Sequence, residues 1–84
     1  MNVYVRMLAE KAAQGDQKAK QEGLKAFMFN MASIVRLDKA DQIAEAFGIP
    51  FEEQQSYASE ALEHMNKLPD MKPFADEIRQ HYRL

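Results

Sequence analysis

The sequence contains no cysteine and no tryptophan, and only three glycines and three prolines among its 84 residues. The lack of thiols excludes disulfide frameworks, thiolate zinc sites and cysteine nucleophiles. The sparse turn-forming residues divide the chain into helices rather than into many short strands. A chain of this length buries roughly 60–65% of its unfolded surface, so a partner or a second copy would add useful stability.

Long apolar runs are also missing, and none approaches the roughly 18 consecutive apolar residues that a membrane-spanning helix needs. The most apolar segment, residues 26–35, is interrupted by Asn30 and Ser33. The first ten residues do not form the apolar core of a signal peptide, because Arg6 and Glu10 lie within them. Together with the absence of cysteine, these features predict a cytoplasmic protein with no membrane contact.

Hydrophobic periodicity predicts an all-α fold, a compact bundle of four to five short helices in a single domain spanning residues 1–84. Asp16 is a typical N-cap, whereas Gly15 and Gly48 are typical of helix ends. We expect the N-terminal helix, within residues 1–15, to pack loosely. We also expect residues 69–73, which contain two prolines, to form an extended connector to the last helix. The predicted helices cover residues 2–14, 17–35, 38–47, 50–67 and 73–82.

The second predicted helix has the widest apolar face of the chain. At 100° per residue its apolar side chains share an arc of roughly 160°, which is wider than a surface helix needs. This arc predicts that residues 24–35 form the central helix of the domain. Phe29 falls outside the arc, and is either covered by a neighbouring helix or exposed as an aromatic anchor for a partner. The arc consists of Leu24, Phe27, Met28, Met31, Ala32, Ile34 and Val35.

Charge is distributed unevenly along the chain. Residues 1–36 hold six basic and three acidic side chains, a balance of +3, whereas residues 37–66 hold one basic and seven acidic, a balance of −6. Residues 67–84 return to +1, which gives the overall net charge of −2. Such blocks are either solvated faces or surfaces for attraction between copies or to a charged partner.

Residues 38–57 match the spacing of a helix-turn-helix corner. In that motif a small residue is followed four positions later by glycine and then by an apolar residue, and Ala44, Gly48 and Ile49 fit this order. The alanine lets two helices approach, and the glycine permits a positive φ in the turn. Short helical corners of this kind also occur in bundles that do not bind DNA. We therefore interpret residues 38–57 as a packing corner rather than as a DNA-binding motif.

The helix after this corner is poorly suited to reading DNA. Glu52 and Glu53 near its start would repel the phosphate backbone. Within this helix, predicted at residues 50–67, Lys67 is the first basic residue. Nucleic acid is therefore disfavoured as a partner. Under the alternative of DNA recognition, the base-reading candidates are Gln54, Gln55 and Ser56.

Catalytic and metal-binding patterns are weak. The Glu–His pairs at positions 60 and 64 and at positions 77 and 81 have the i, i+4 spacing of ordinary helix-surface interactions. There is no glycine-rich phosphate loop and no nucleophile elbow. We therefore predict no enzymatic activity, no metal, no cofactor and no small-molecule substrate.

The remaining class is a small protein-binding regulator or adaptor. It would modulate or inhibit a larger partner, or would associate with further copies of itself. The alternative is a helix-turn-helix DNA-binding transcriptional regulator. The candidate partner-binding residues are aromatic and acidic side chains that could contact a protein surface: Phe29, Glu52, Glu53, Tyr57, Glu60, Phe74 and Tyr82.

Overall fold

The computed structural model describes residues 3–84 and confirms the all-α prediction, with five α-helices and no strand in this range. None of the described helices is both long and apolar enough to cross a membrane. The predicted helix start at residue 2 lies outside the described residues. The helical elements are α1 (Val3–Ala13), α2 (Gln17–Met28), a π-helical turn (Phe29–Ser33), α3 (Leu37–Phe47), α4 (Phe51–Met65), a 3₁₀ turn (Pro69–Met71) and α5 (Lys72–His81).

The chain divides into two compact units between Ile49 and Pro50. The first unit contains α1, α2, the π-helical turn and α3, and the second contains α4, the 3₁₀ turn and α5. The single domain predicted for residues 1–84 stays a prediction. The boundary falls inside the corner predicted at residues 38–57.

The caps of the first unit agree with the sequence prediction. The Asp16 carboxylate accepts the backbone N–H of Ala19 at 3.1 Å, which satisfies one of the free donors at the start of α2. Gly48 ends α3 with a φ of 65°, the left-handed conformation that glycine adopts without steric cost. The Ile49 N–H then donates to the Ala44 carbonyl at 2.9 Å. The glycine turn at the centre of the predicted corner is therefore present.

Gly23 allows α2 and α3 to pack closely within the first unit. It is buried on α2, and a Cβ atom at this position would lie well inside the van der Waals distance of the Phe47 ring. The ring of Phe47 thus occupies the space that any other side chain would need. This explains a glycine in the interior of a helix, where it is otherwise unfavourable.

We expect Gly23→Ala to destabilise the protein by about 1–3 kcal/mol, the usual cost of overpacking a core. Helix propensity alone predicts the opposite, a gain of about 1 kcal/mol. Urea denaturation followed by far-UV circular dichroism distinguishes the two signs. The matched control is the same substitution in a Phe47→Ala background, where the ring is gone and Gly23→Ala should be neutral or stabilising. A gain in the wild-type background would contradict the close contact with Phe47.

The predicted long helix ending at Val35 is wrong in its last turns, because α2 stops at Met28 and continues as a π-helical turn. The Ile34 N–H donates to the Phe29 carbonyl at 3.2 Å, five residues back. The side-chain amide of Asn30 donates to the Ala26 carbonyl at 2.8 Å, so a side chain competes for the backbone acceptors of this segment. Val35 then leaves the helix with a φ of 49°, which is strained for a β-branched residue.

The second unit is a pair of packed helices, α4 and α5. Its buried side chains follow helical spacing on both elements, as the periodicity predicts. The Gln55 side-chain amide donates to the Tyr82 carbonyl at 2.8 Å, which ties α4 to the end of α5. The buried set on the two helices consists of Ala58, Ala61, Leu62, Met65, Ala75 and Ile78.

The segment joining α4 and α5 differs from the predicted extended connector. Pro69–Met71 form a 3₁₀ turn in which the Met71 N–H donates to the Leu68 carbonyl at 3.0 Å. The fixed φ of proline, near −65°, suits a 3₁₀ turn as well as an extended chain, so proline content alone does not decide between them. Pro73 lies in the first turn of α5, where the missing N–H costs nothing.

Candidate partner-binding groove

An apolar groove with a volume of about 580 Å³ runs along one side of α2 and the π-helical turn. It belongs entirely to the first unit, and we call it the α2 groove. Its lining is mostly apolar, with Gln21 and Ser33 at the two ends of the segment and Lys25 between them. The lining residues are Gln21, Leu24, Lys25, Met28, Phe29, Ala32 and Ser33.

Every lining residue comes from one continuous helical segment. Counted from Gln21, their positions are i, i+3, i+4, i+7, i+8, i+11 and i+12, which is the spacing of a single helix face. Sites for small molecules enclose most of the ligand surface and so need walls from several elements. A long face on one helix instead matches the geometry of helix-to-helix docking.

The groove exists because the apolar arc is wider than the interior of the first unit. Phe27 and Met31 are completely buried, as predicted. Leu24, Met28 and Ala32 were expected in the same core, but they are only half-buried and face the groove. The sequence signal for the groove is therefore the excess width of the arc.

Phe29 is 54% exposed, which decides between the two alternatives that the sequence left open for it. No neighbouring helix covers most of this ring. It is the first residue of the π-helical turn and one of the residues that line the groove. Its role as an anchor for a partner stays a prediction.

Several apolar side chains of the first unit are exposed although the sequence analysis did not name them as contact residues. Val3, Tyr4 and Met7 are 72%, 65% and 53% exposed on the first two turns of α1. Ile34 is 47% exposed, so its predicted place in the buried arc is wrong. The prediction assumed regular α-helical steps, whereas hydrogen bonds to the fifth preceding residue change the angle between successive side chains.

The other predicted contact residues belong to the second unit, and most of them are accessible. Glu52, Glu53 and Glu60 are exposed on α4, and Tyr57 is half-buried on the same helix. Phe74 is 43% exposed near the start of α5. These residues stay candidates for contact with a partner.

Tyr82 must be removed from the set of contact residues. None of its surface is exposed, so a partner has no access to the side chain in the folded protein. Its ring lies 6.3 Å from that of Phe51 and 4.8 Å from that of His81, measured between ring centres. Tyr82 is thus a core residue, with its ring in an edge-to-face arrangement with His81.

The residues proposed for DNA reading are only partly available. Gln55 uses its side-chain amide in the hydrogen bond to the Tyr82 carbonyl, so this donor is committed within the unit. Gln54 is half-buried, and Ser56 is exposed. The carboxylates of Glu52 and Glu53 remain exposed beside them, an unfavourable setting for a phosphate backbone.

Among residues 3–84, no group of three or more histidine and carboxylate side chains has the arrangement of a metal site. A smaller depression of about 260 Å³ lies in the second unit beside the 3₁₀ turn and α5. Arg79 lines it, and its guanidinium donates to the Asp76 carboxylate at 2.7 Å.

No protein-family model matches the chain, and no curated protein or solved structure is significantly similar to it. Its function is therefore inferred from its own exposed side chains. Among these, exposed Phe29 lies in the α2 groove together with half-buried Leu24 and Met28.

Proposed function

We propose that this protein is a small, non-enzymatic regulator or adaptor of the cytoplasm that binds a larger protein through the α2 groove. The observation that supports this most strongly is the exposed ring of Phe29 among the apolar side chains that line the α2 groove. Accessible aromatic side chains on a packed scaffold are enriched among the residues that anchor protein–protein interfaces. Binding there would let the protein inhibit or redirect its partner without any chemistry of its own.

The expected energetic contribution of Phe29 follows from its exposure. Complete burial of a phenylalanine side chain is worth about 1.5–3 kcal/mol, and roughly half of this ring is still open to water. Aromatic residues at the centre of an interface commonly act as hot spots, whose truncation costs about 2 kcal/mol or more. Half-buried Leu24 and Met28 would surround the ring and exclude water from it.

We expect Phe29→Ser to weaken partner binding by about 30-fold, which corresponds to about 2 kcal/mol. The measurement is affinity capture from the native lysate with mass spectrometry, followed by titration of the captured protein against wild type and variants. Leu68→Ser is the matched control, because Leu68 has similar exposure but lies in the second unit and is not among the candidate contact residues. Circular dichroism should show that both variants keep their helical content.

Three results would count against this assignment. Unchanged binding by Phe29→Ser together with loss in Phe74→Ser would move the interface to the second unit. Sequence-specific retention on DNA at physiological salt, lost when Gln54 and Gln55 are changed to alanine, would favour the transcriptional regulator. If no captured protein binds wild type more tightly than Phe29→Ser, a protein-binding role loses its support.

A further inference from the structure

The depression of about 260 Å³ in the second unit, which we call the α5 pocket, is lined by three successive elements of the chain. Met65 at the end of α4 is one part of the lining, and Leu68 in the connection after α4 is another. Helix α5 supplies the third part, with residues at positions i, i+3, i+4 and i+7 counted from Lys72. A corner of this kind, unlike the single face of the α2 groove, contacts a small molecule from several sides.

Part of this lining is apolar and gives a ligand a surface to bury. Met65 and Ala75 line the pocket and belong to the core of the second unit. Leu68 also lines the pocket but is 57% exposed, so a large apolar side chain stays in contact with water there. A ligand with an apolar part would remove this surface from water, which is favourable.

The charged side chains of the lining leave one cation without a partner. The Arg79 guanidinium donates through Nη1 to the Asp76 carboxylate at 2.7 Å, so these two charges offset each other. Lys72 lies one turn before Asp76, yet it forms no ion pair within residues 3–84. Two cations and one anion thus give the lining a net charge of +1.

The pair of Arg79 and Asp76 also prepares the guanidinium for a second acceptor. A guanidinium has five N–H donors in a rigid fork, and the hydrogen bond to Asp76 uses only one of its nitrogens. The carboxylate therefore orients the group without exhausting its donors. Lys72 lies two turns away on the same face of α5, so the two cations border the same depression.

We propose that the α5 pocket binds a small carboxylic acid in its ionised form. The carboxylate would be held by Lys72 and Arg79, and an aliphatic chain would pack against Met65 and Leu68. A single negative charge matches the net charge of the lining. The ligand is bound and released unchanged, so it is neither a substrate nor a cofactor, and the proposal is independent of the α2 groove.

Other occupants match this lining less well. Inorganic phosphate carries a second negative charge at neutral pH, which the Asp76 carboxylate would repel, and it has no apolar part to cover Leu68. An aliphatic amine would place its cation beside Lys72 and Arg79. A partner helix needs a long continuous face, whereas the α5 pocket is a corner of about 260 Å³ between three elements.

The test is a titration of the ¹⁵N-labelled full chain, followed through the NMR shifts of the amides in residues 65–79. Hexanoate is the probe, acetate supplies the charge without the chain, and hexylamine supplies the chain with the opposite charge. Hexanoate should give saturable shifts in this range and bind at least about 10-fold more tightly than acetate, because its longer chain buries apolar surface. Hexylamine and inorganic phosphate should both bind more weakly than hexanoate.

Three variants separate the contributions to binding. Lys72→Gln should weaken hexanoate binding by about 5-fold, the upper range for an exposed charge pair. Lys67→Gln is the matched control and should leave binding unchanged, because it removes an exposed lysine of the same unit that lies outside the lining. Leu68→Ser should reduce the preference for hexanoate over acetate, and circular dichroism should show unchanged helical content in all three.

Several results would overturn this proposal. Shifts that do not saturate with hexanoate, or equal effects of Lys72→Gln and Lys67→Gln, would reject the pocket as a specific carboxylate site. Tighter binding of phosphate than of hexanoate would assign an inorganic anion instead. Tighter binding of a short peptide that ends in leucine with a free carboxylate, lost on amidation, would assign the terminus of a protein. None of these results affects the proposed function, which is tested by partner binding to Phe29→Ser.

Discussion

Replacement of Phe27 by alanine should destabilise the first unit by about 3–5 kcal/mol, whereas Phe29→Ala should change its stability by less than about 1 kcal/mol. Phe27 is completely buried and Phe29 is 54% exposed, although only one residue separates them. Truncation of a buried ring removes its transfer free energy and leaves a cavity that the surrounding helices fill only partly. The exposed ring loses little on truncation because it is already half in water.

Urea denaturation followed by far-UV circular dichroism gives the free energy of unfolding, and amide hydrogen exchange locates the loss within residues 3–49. A domain of this size has a total stability of only about 4–13 kcal/mol, so Phe27→Ala could leave little folded protein. Phe27→Leu provides a milder test and should be destabilising in the same direction. Equal effects of Phe27→Ala and Phe29→Ala would contradict both the burial of one ring and the exposure of the other.

This contrast also shows what local sequence can predict about the α2 groove. Periodicity correctly placed Phe27 and Met31 in the core, and it showed an arc too wide for an ordinary surface helix. Which part of the arc remains uncovered depends on how far α1 and α3 extend over α2. That extent is a tertiary property, so the sequence left the exposure of Phe29 open.

The π-helical turn was beyond sequence reasoning for a different reason. Asn30 lies in a run of residues with good helical periodicity, and the pattern alone predicts an unbroken helix to Val35. The π-helical turn is accompanied by the hydrogen bond from the Asn30 side chain to the Ala26 carbonyl and is followed by the left-handed backbone of Val35. Neither has a signature in hydrophobic spacing.

The last helix gives a similar lesson about candidate contact residues. Phe74, Ile78 and Tyr82 share one face at i, i+4 and i+8, and the sequence analysis placed Phe74 and Tyr82 of this face together among the contact residues. Only Ile78 and Tyr82 are fully buried, whereas Phe74 remains 43% exposed. Spacing thus identifies the packing side of a helix, but the neighbouring elements determine how many of its turns are covered.

In the second unit, we expect Tyr82→Ala to lower the free energy of unfolding by about 3–5 kcal/mol. This is the usual cost of removing a large aromatic side chain from a core. The ring is completely buried and lies beside Phe51 and His81. Its removal would leave a cavity at the end of α5, where the Tyr82 carbonyl also accepts the hydrogen bond from Gln55. Weaker packing there should loosen this tie between the two helices.

Phe74→Ala is the matched control for Tyr82→Ala, because it truncates a partly exposed ring on the same helix and should cost much less. Urea denaturation gives the difference between the two variants, and hydrogen exchange of amides in residues 50–84 localises it. Tyr82→Leu retains apolar volume and should fall between Tyr82→Ala and wild type. A stable Tyr82→Ala variant with reduced partner binding would return Tyr82 to the contact residues, since a core position cannot lose its ring without a loss of stability.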